Sequence, residues 1–181
     1  MNTNMIDVKA QFEKSIPALM KDLGVTNKLA LPRLEKVIVS VGTGSFKDKK
    51  KIDVVMDRLA KITGQKPART VAKKSIATFK LRAGDPAGAK VTLRGARMND
   101  FLNRLINVAI PRERDFRGLK ESSVDEMGNL SIGFKEHTIF PETADEDLKD
   151  VFSFGITIAT TAKNKKEALA LFHALHFPFK K

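Results

Sequence analysis

Ten lysines and arginines lie between Lys61 and Arg97 against a single acid, Asp85. Inside that stretch, "KKSIATFKLRAGDPAGAKVTLRG" (residues 73–95) gathers six cations around three glycines and one proline. Charges of one sign at this density repel unless a polyanion relieves them. The chemistry they offer is phosphate binding, with Lys as a compact point charge and Arg as a planar fork. A nucleic acid is the first partner such a surface implies, and an acidic membrane surface the second. The balance reverses between Glu121 and Asp150, where nine acids face two lysines. The formal net charge of +12 is therefore unevenly spread, and its distribution speaks about partners rather than fold.

Residue types that would do covalent or metal chemistry are scarce. There is no cysteine, so disulfides and thiolate chemistry are excluded, which fits a reducing compartment. Of the three histidines, His137, His173 and His176, the last two lie three apart on the final helix with no nearby cysteine or carboxylate completing a metal site, and the histidines read as ordinary surface or boundary residues. "GTGSFK" (42–47) has a phosphate-loop flavour but lacks the Gly-Lys-Ser/Thr ending of a P-loop, leaving a tight turn after a strand. The acids of "ETADEDLKD" lack the spacing of a calcium loop. No hydrolase elbow or dinucleotide fingerprint is present. The chain reads as a binding protein without cofactor, metal or small-molecule substrate, not as an enzyme.

Several elements must position the cations. Val8, Phe12, Ile16, Leu19 and Leu23 recur at helical spacing up to Gly24, with Pro17 expected to kink or restart the helix. Residues 34–41 are β-branched and run into glycines, predicting a strand. Ile52, Val55, Met56, Leu59 and Ile62 stripe a helix that stops at Gly64. "ARTVA" and "AKVTLRG" predict two strands, and Gly84, Pro86 and Gly88 between them predict a projecting loop over 78–89. A helix through Phe101–Ala109 should stop at Pro111; "NLSIGFKEHTIF" and "GITIATTA" predict strands, and "NKKEALALFHAL" a last helix. The expected fold is α+β: one domain over residues 1–181, with a helical segment over 1–30. The N-terminus has charges where a signal peptide needs an apolar run, and no stretch is long and apolar enough for a membrane span, so a cytoplasmic protein is expected.

In this order, "LPRLEKVIVSVGTG", "ITGQKPARTVAKKSIATFKLRAGDPAGAKVTLRGARMNDFLNRLINVAIPRERDFRGL", "GNLSIGFKEHTIFPE", "ITIATTA" and a closing "FPF" resemble the bacterial L-five family of large-subunit ribosomal proteins. The resemblance covers most of residues 31–179. It implies a mainly antiparallel sheet of about five strands packed against helices, in the central protuberance of the large subunit. It also implies 5S rRNA, 23S rRNA and the peptidyl-site (P-site) tRNA as partners, together with a small-subunit protein across an inter-subunit bridge. The acidic 121–150 segment would face away from RNA, toward that protein.

Carried onto this chain, the expected rRNA-binding residues are Ser40, Gly42, Thr43, Gly44, Gln65, Lys66, Arg69, Lys73, Lys74, Thr92, Arg94 and Arg97. Thr92 and Arg94, two apart on a strand, share a face and form the platform with the end of the first strand. Ser40 stands where the family usually has Asn, which removes the amide's paired donor and acceptor. The tRNA-contact loop is expected to use Thr78, Phe79, Lys80, Leu81, Arg82 and Gly84, flexible alone and ordered on binding. Two other functions fit the residues less well: a free RNA chaperone or translation regulator, and an enzyme of RNA metabolism.

Overall fold

The computed structural model describes residues 5–44, 49–79, 81–143 and 151–180. Five strands make one antiparallel sheet: β1 (Leu34–Gly42), β2 (Ala68–Val71), β3 (Pro86–Leu93), β4 (Leu130–Phe134) and β5 (Phe154–Thr160), in the order β2-β3-β1-β5-β4. The longer helices are α1 (Val8–Leu23), α2 (Lys49–Thr63), α3 (Gly95–Arg104) and α4 (Lys165–Ala174). The fold is α+β, as expected.

Burial alternates along the strands. Val37, Val39 and Val41 of β1, Ala89, Val91 and Leu93 of β3, and Phe154, Ile156 and Ile158 of β5 are buried, while Ser40, Gly42, Lys90 and Thr92 are exposed. A period of two sends successive side chains to opposite faces, so β1, β3, β4 and β5 each have one core face and one uncovered face, while β2 has no buried residue.

The chain divides into two compact units, Met1–Val37, Arg94–Ile132 and Thr157–Lys181 forming the first, Ile38–Leu93 and Gly133–Ile156 the second. In the first unit α1 packs on α3 and α4. Asp7 caps α1 by accepting from the Lys9 N–H, and Asn103 Oδ1 accepts from the Val8 N–H at 2.8 Å. The chain's end is stitched down where the Leu119 N–H donates to the Pro178 carbonyl at 2.7 Å and the Lys180 N–H to the Leu119 carbonyl at 2.8 Å. In the second unit α2 packs on β3 and on the turn Pro141–Thr143. Val55, Leu59 and Ile62 bury its stripe, and Phe134 stacks on Phe154 with ring centres 5.2 Å apart.

Four local expectations change. α1 runs unbroken through Pro17, because Ile16 and Leu19 on either side of it are both buried and hold the helix across the missing hydrogen bond. α3 starts at Gly95, well before Phe101, and continues as a wide turn (Leu105–Ala109) and a last turn (Ile110–Arg112) that includes Pro111. Only the first half of "NLSIGFKEHTIF" is strand; His137–Ile139 is a 3₁₀ turn. His137 itself is no surface residue. It is buried, its ring stacks on Phe152 at 4.2 Å, Arg58 Nη1 lies 3.2 Å from its Nε2, and its Nδ1 accepts from the Phe152 N–H at 3.4 Å.

Gly88 is a point of close approach between β3 and β1. A Cβ there would lie 2.5 Å from the Val41 carbonyl oxygen, backbone that cannot swing aside. Gly88→Ala should therefore push β1 and β3 apart and destabilise the fold by about 1–3 kcal/mol. A urea midpoint unchanged from the wild type would show that the strands absorb the methyl.

Candidate nucleic-acid interface

Nine of the twelve expected rRNA-binding residues, Ser40 to Lys74 in chain order, and Thr92 as a tenth, belong to the second unit. Ser40 and Gly42 end β1 on its uncovered face, and Thr92 lies on the uncovered face of β3. Lys66, Lys73 and Lys74 are exposed. Gln65 follows Gly64, which ends α2 with φ +67°, and its Nε2 donates to the Thr92 carbonyl at 3.2 Å. This hydrogen bond fixes the amide beside the Thr92 backbone, so two residues far apart in sequence form one polar unit.

Arg69 and Thr43 sit differently from the expectation. The β2–β3 register pairs Arg69 with Ala89, which is buried, so Arg69 lies on the helix-covered side, where it forms an ion pair with Asp53 of α2. Ala68 pairs with Lys90 and shares the uncovered face instead. Thr43 is buried and its N–H donates to the Ala87 carbonyl at 3.0 Å, so it ties the end of β1 to β3. Gly44 opens a turn whose next residues, 45–48, lie outside the described part of the chain.

Arg94 and Arg97 belong to the first unit. Arg94 is extended (φ −140°, ψ 161°), precedes α3, and donates from Nη1 to Glu35 Oε1 at 3.1 Å. The hydrogen bond from Arg94, then the nearby Lys36 ammonium, hold the Glu35 carboxyl below the ordinary carboxylate value.

The loop expected over 78–89 is a built hairpin with different bounds. β3 already starts at Pro86, and the connection from Ala72 to Asp85 has its own hydrogen bonds. The Ala72 N–H donates to the Asp85 carbonyl at 2.8 Å and the Gly84 N–H to the Ala72 carbonyl at 2.9 Å. Ile76 and Leu81 exchange both backbone bonds, and Asp85 Oδ2 accepts from the Arg82 N–H at 2.7 Å. Gly84 adopts φ +93°, which closes the turn and which a side chain would strain. Thr78 and Arg82 are exposed and Leu81 half-buried; Lys80 and the side chain of Phe79 lie outside the described residues. Much of the acidic run "ETADEDLKD", residues 144–150, also lies outside them.

Two exposed cations were missed. Lys90 sits between Gly88 and Thr92 on the uncovered face of β3, and alternation from Thr92 would have found it. Lys135 follows β4, and only the β4–β5 pairing brings it beside Ser153 and Gly155, around a shallow hollow of ≈ 470 Å³ that Ser40, Gly42 and Gly133 also line. Among the described residues no group of three or more His, Asp or Glu side chains could hold a metal ion, and no helix is long and apolar enough to cross a membrane. The arrangement suits a polyanion: exposed lysines, a fixed amide and small side chains on open strands.

Comparison with known proteins agrees with this chemistry. The family model described as "Ribosomal protein L5" matches residues 27–82, and the model for the C-terminus of the same ribosomal family matches residues 86–179. The "Large ribosomal subunit protein uL5" of Flavobacterium johnsoniae is 50% identical over 167 residues, covering 92% of this chain and 91% of its own. The protein of that name from Halothermothrix orenii is 49% identical over 168 residues, with 92% and 94% covered. Its counterpart from Kosmotoga olearia is 45% identical over 183 residues, with 100% of both chains covered.

The Glu35–Arg94 pair makes a pH prediction. A carboxylate whose folded value is depressed contributes stability above its unfolded value, and loses it as pH falls through the folded value. Glu35 is fully exposed, so the effect on stability is small. The NMR titration midpoint of Glu35 should lie below the ordinary carboxylate value and move up in Arg94→Ala. Equal midpoints in the two proteins would mean that the pair does not form in solution.

Proposed function

This chain belongs to the ribosomal protein L5 family, and on that premise we propose that it fastens 5S rRNA to the large ribosomal subunit. As a family member it is a structural component of the large subunit, working in the cytoplasmic ribosome beside rRNA, and not an enzyme. The finer reading gives it contacts to 23S rRNA, to the P-site tRNA and, through a bridge, to a small-subunit protein.

The observation that carries the 5S reading is the uncovered sheet face of the second unit, edged by exposed lysines. Ribosomal RNA is bound through phosphates, 2′-hydroxyls and exposed base edges, and needs cations beside an open polar surface. Lys66, Lys73, Lys74, Lys90 and Lys135 provide exposed ammonium groups there. Gln65, held on the Thr92 carbonyl, offers a polar group whose position is set before RNA arrives. Preorganisation of this kind lowers the ordering cost of binding. The 72–85 hairpin suits a different partner. Its tip, with exposed Thr78 and Arg82, sits on a turn with an internal hydrogen-bond frame, as a finger reaching a tRNA backbone requires.

With five lysines on phosphates, the logarithm of the 5S rRNA association constant should fall with log salt at a slope of roughly −3.5 to −4.5. Filter binding of the full chain across a salt series measures it, and a nearly flat line would contradict the electrostatic account.

The hairpin is tested separately. Lys80→Glu with Arg82→Glu should leave 5S affinity within about twofold, because the change lies on the finger. Ribosomes carrying the pair should release P-site tRNA faster, more so at low salt. A collapse of 5S affinity with unchanged tRNA release would assign the finger to 5S rRNA instead.

A further inference from the structure

The hollow in the second unit is floored by strand residues without side chains. Gly42 ends β1 and Gly133 lies inside β4. Neither has a positive φ, so neither conformation requires glycine. A Cβ built on either meets nothing within 4 Å among the described residues, so their packing does not require glycine either. Glycine in a strand costs stability and gives nothing to the core. Gly88, where a Cβ would clash with the Val41 carbonyl oxygen at 2.5 Å, shows what a structural strand glycine looks like in this same sheet. The two bare positions lie together, since both line the hollow. A strand glycine with room above it marks a surface that something else approaches closely.

What surrounds the floor indicates what approaches. Ser40 and Ser153 are exposed at the hollow and bring hydroxyls that donate and accept. Lys135 brings an exposed ammonium group, and among the described residues no acid lines the hollow. The volume of ≈ 470 Å³ is that of a small-ligand site, roughly 300–1,000 Å³, yet the hollow is open to solvent as a site for part of a larger molecule must be.

We propose that this hollow seats one unstacked ribonucleotide of the bound RNA. The base lies flat on the bare peptide planes of Gly42 and Gly133, Ser40 and Ser153 meet its edge or the 2′-hydroxyl, and Lys135 meets the phosphate. The proposal rests on the RNA-binding reading above, but on residues of β1, β4 and β5 rather than on the lysines of 66–90.

The test uses the full chain and transcribed 5S rRNA. Gly133→Val and Gly42→Val put a β-branched side chain into the seat while favouring the strand. Each should weaken 5S affinity about 10-fold, the scale of one lost base contact, with unchanged salt slope and a Tm equal to or above the wild type. Lys135→Ala should lower the magnitude of the salt slope by about one. 4-Thiouridine-substituted 5S rRNA should cross-link to residues 133–135 or 153–155 of the wild type. That cross-link reads occupancy even if a valine variant fails to fold. Valine variants that fold and bind with full affinity would overturn the seat, and so would cross-links confined to other residues, while the platform reading stood. A wild-type chain that does not bind 5S rRNA would instead overturn the reading beneath it.

Discussion

One-sided burial along the strands is the constraint on which the rest depends. A side-chain period of two gives β1, β3, β4 and β5 a row that is buried and a row that is not, while the edge strand β2 has no buried residue. The buried rows are valine, isoleucine, leucine and phenylalanine, and they hold the strands in register. The open rows carry Lys36, Ser40, Gly42, Lys90, Thr92, Ser131, Gly133 and Thr157 beside the half-buried Ile38, and they are left to the partner. A one-residue slip in β1 would bring Val39 and Val41 to the open face and turn Ser40 into the core. The binding surface is therefore specified by the same hydrophobic pattern that makes the fold.

The cations are arranged rather than scattered. Arg69 and Arg94 are held by Asp53 and Glu35, whereas Lys66, Lys73, Lys74 and Lys90 stand exposed. Exposed ion pairs contribute little to stability, but they fix where a guanidinium points until a phosphate competes for it. The hairpin follows the same logic. Its turn residues are bound to one another, so its exposed cations are presented on a frame and not on a slack loop.

Beneath the open row of the second unit, the turn after β4 is anchored from inside. His137 stacks on the Phe152 ring and meets Arg58 Nη1 through its Nε2, and the Thr143 hydroxyl donates to the His137 carbonyl at 3.1 Å. A buried polar group of this kind is stable only with its partners in place. It holds the segment that carries Lys135 just outside β4.

The sequence by itself determined the class of fold, the order of strands and helices along the chain, and the partner's charge. These follow from local periodicity and from composition, which need no knowledge of neighbours. Pairing decided the rest. That Arg69 turns to α2 and Ala68 to the open face depends on the β2–β3 register, and "ARTVA" alone fits either. The 78–89 segment looked like loop because Gly88 and Pro86 seemed to break a strand; Gly88 is there because the Val41 carbonyl leaves no room for a methyl. His137 looked like a boundary residue because the partners that bury it, Arg58 and Phe152, lie 79 and 15 residues away. The hollow at Gly42 and Gly133 was invisible in the sequence for the same reason: strands far apart in the chain must pair before two bare positions become one floor.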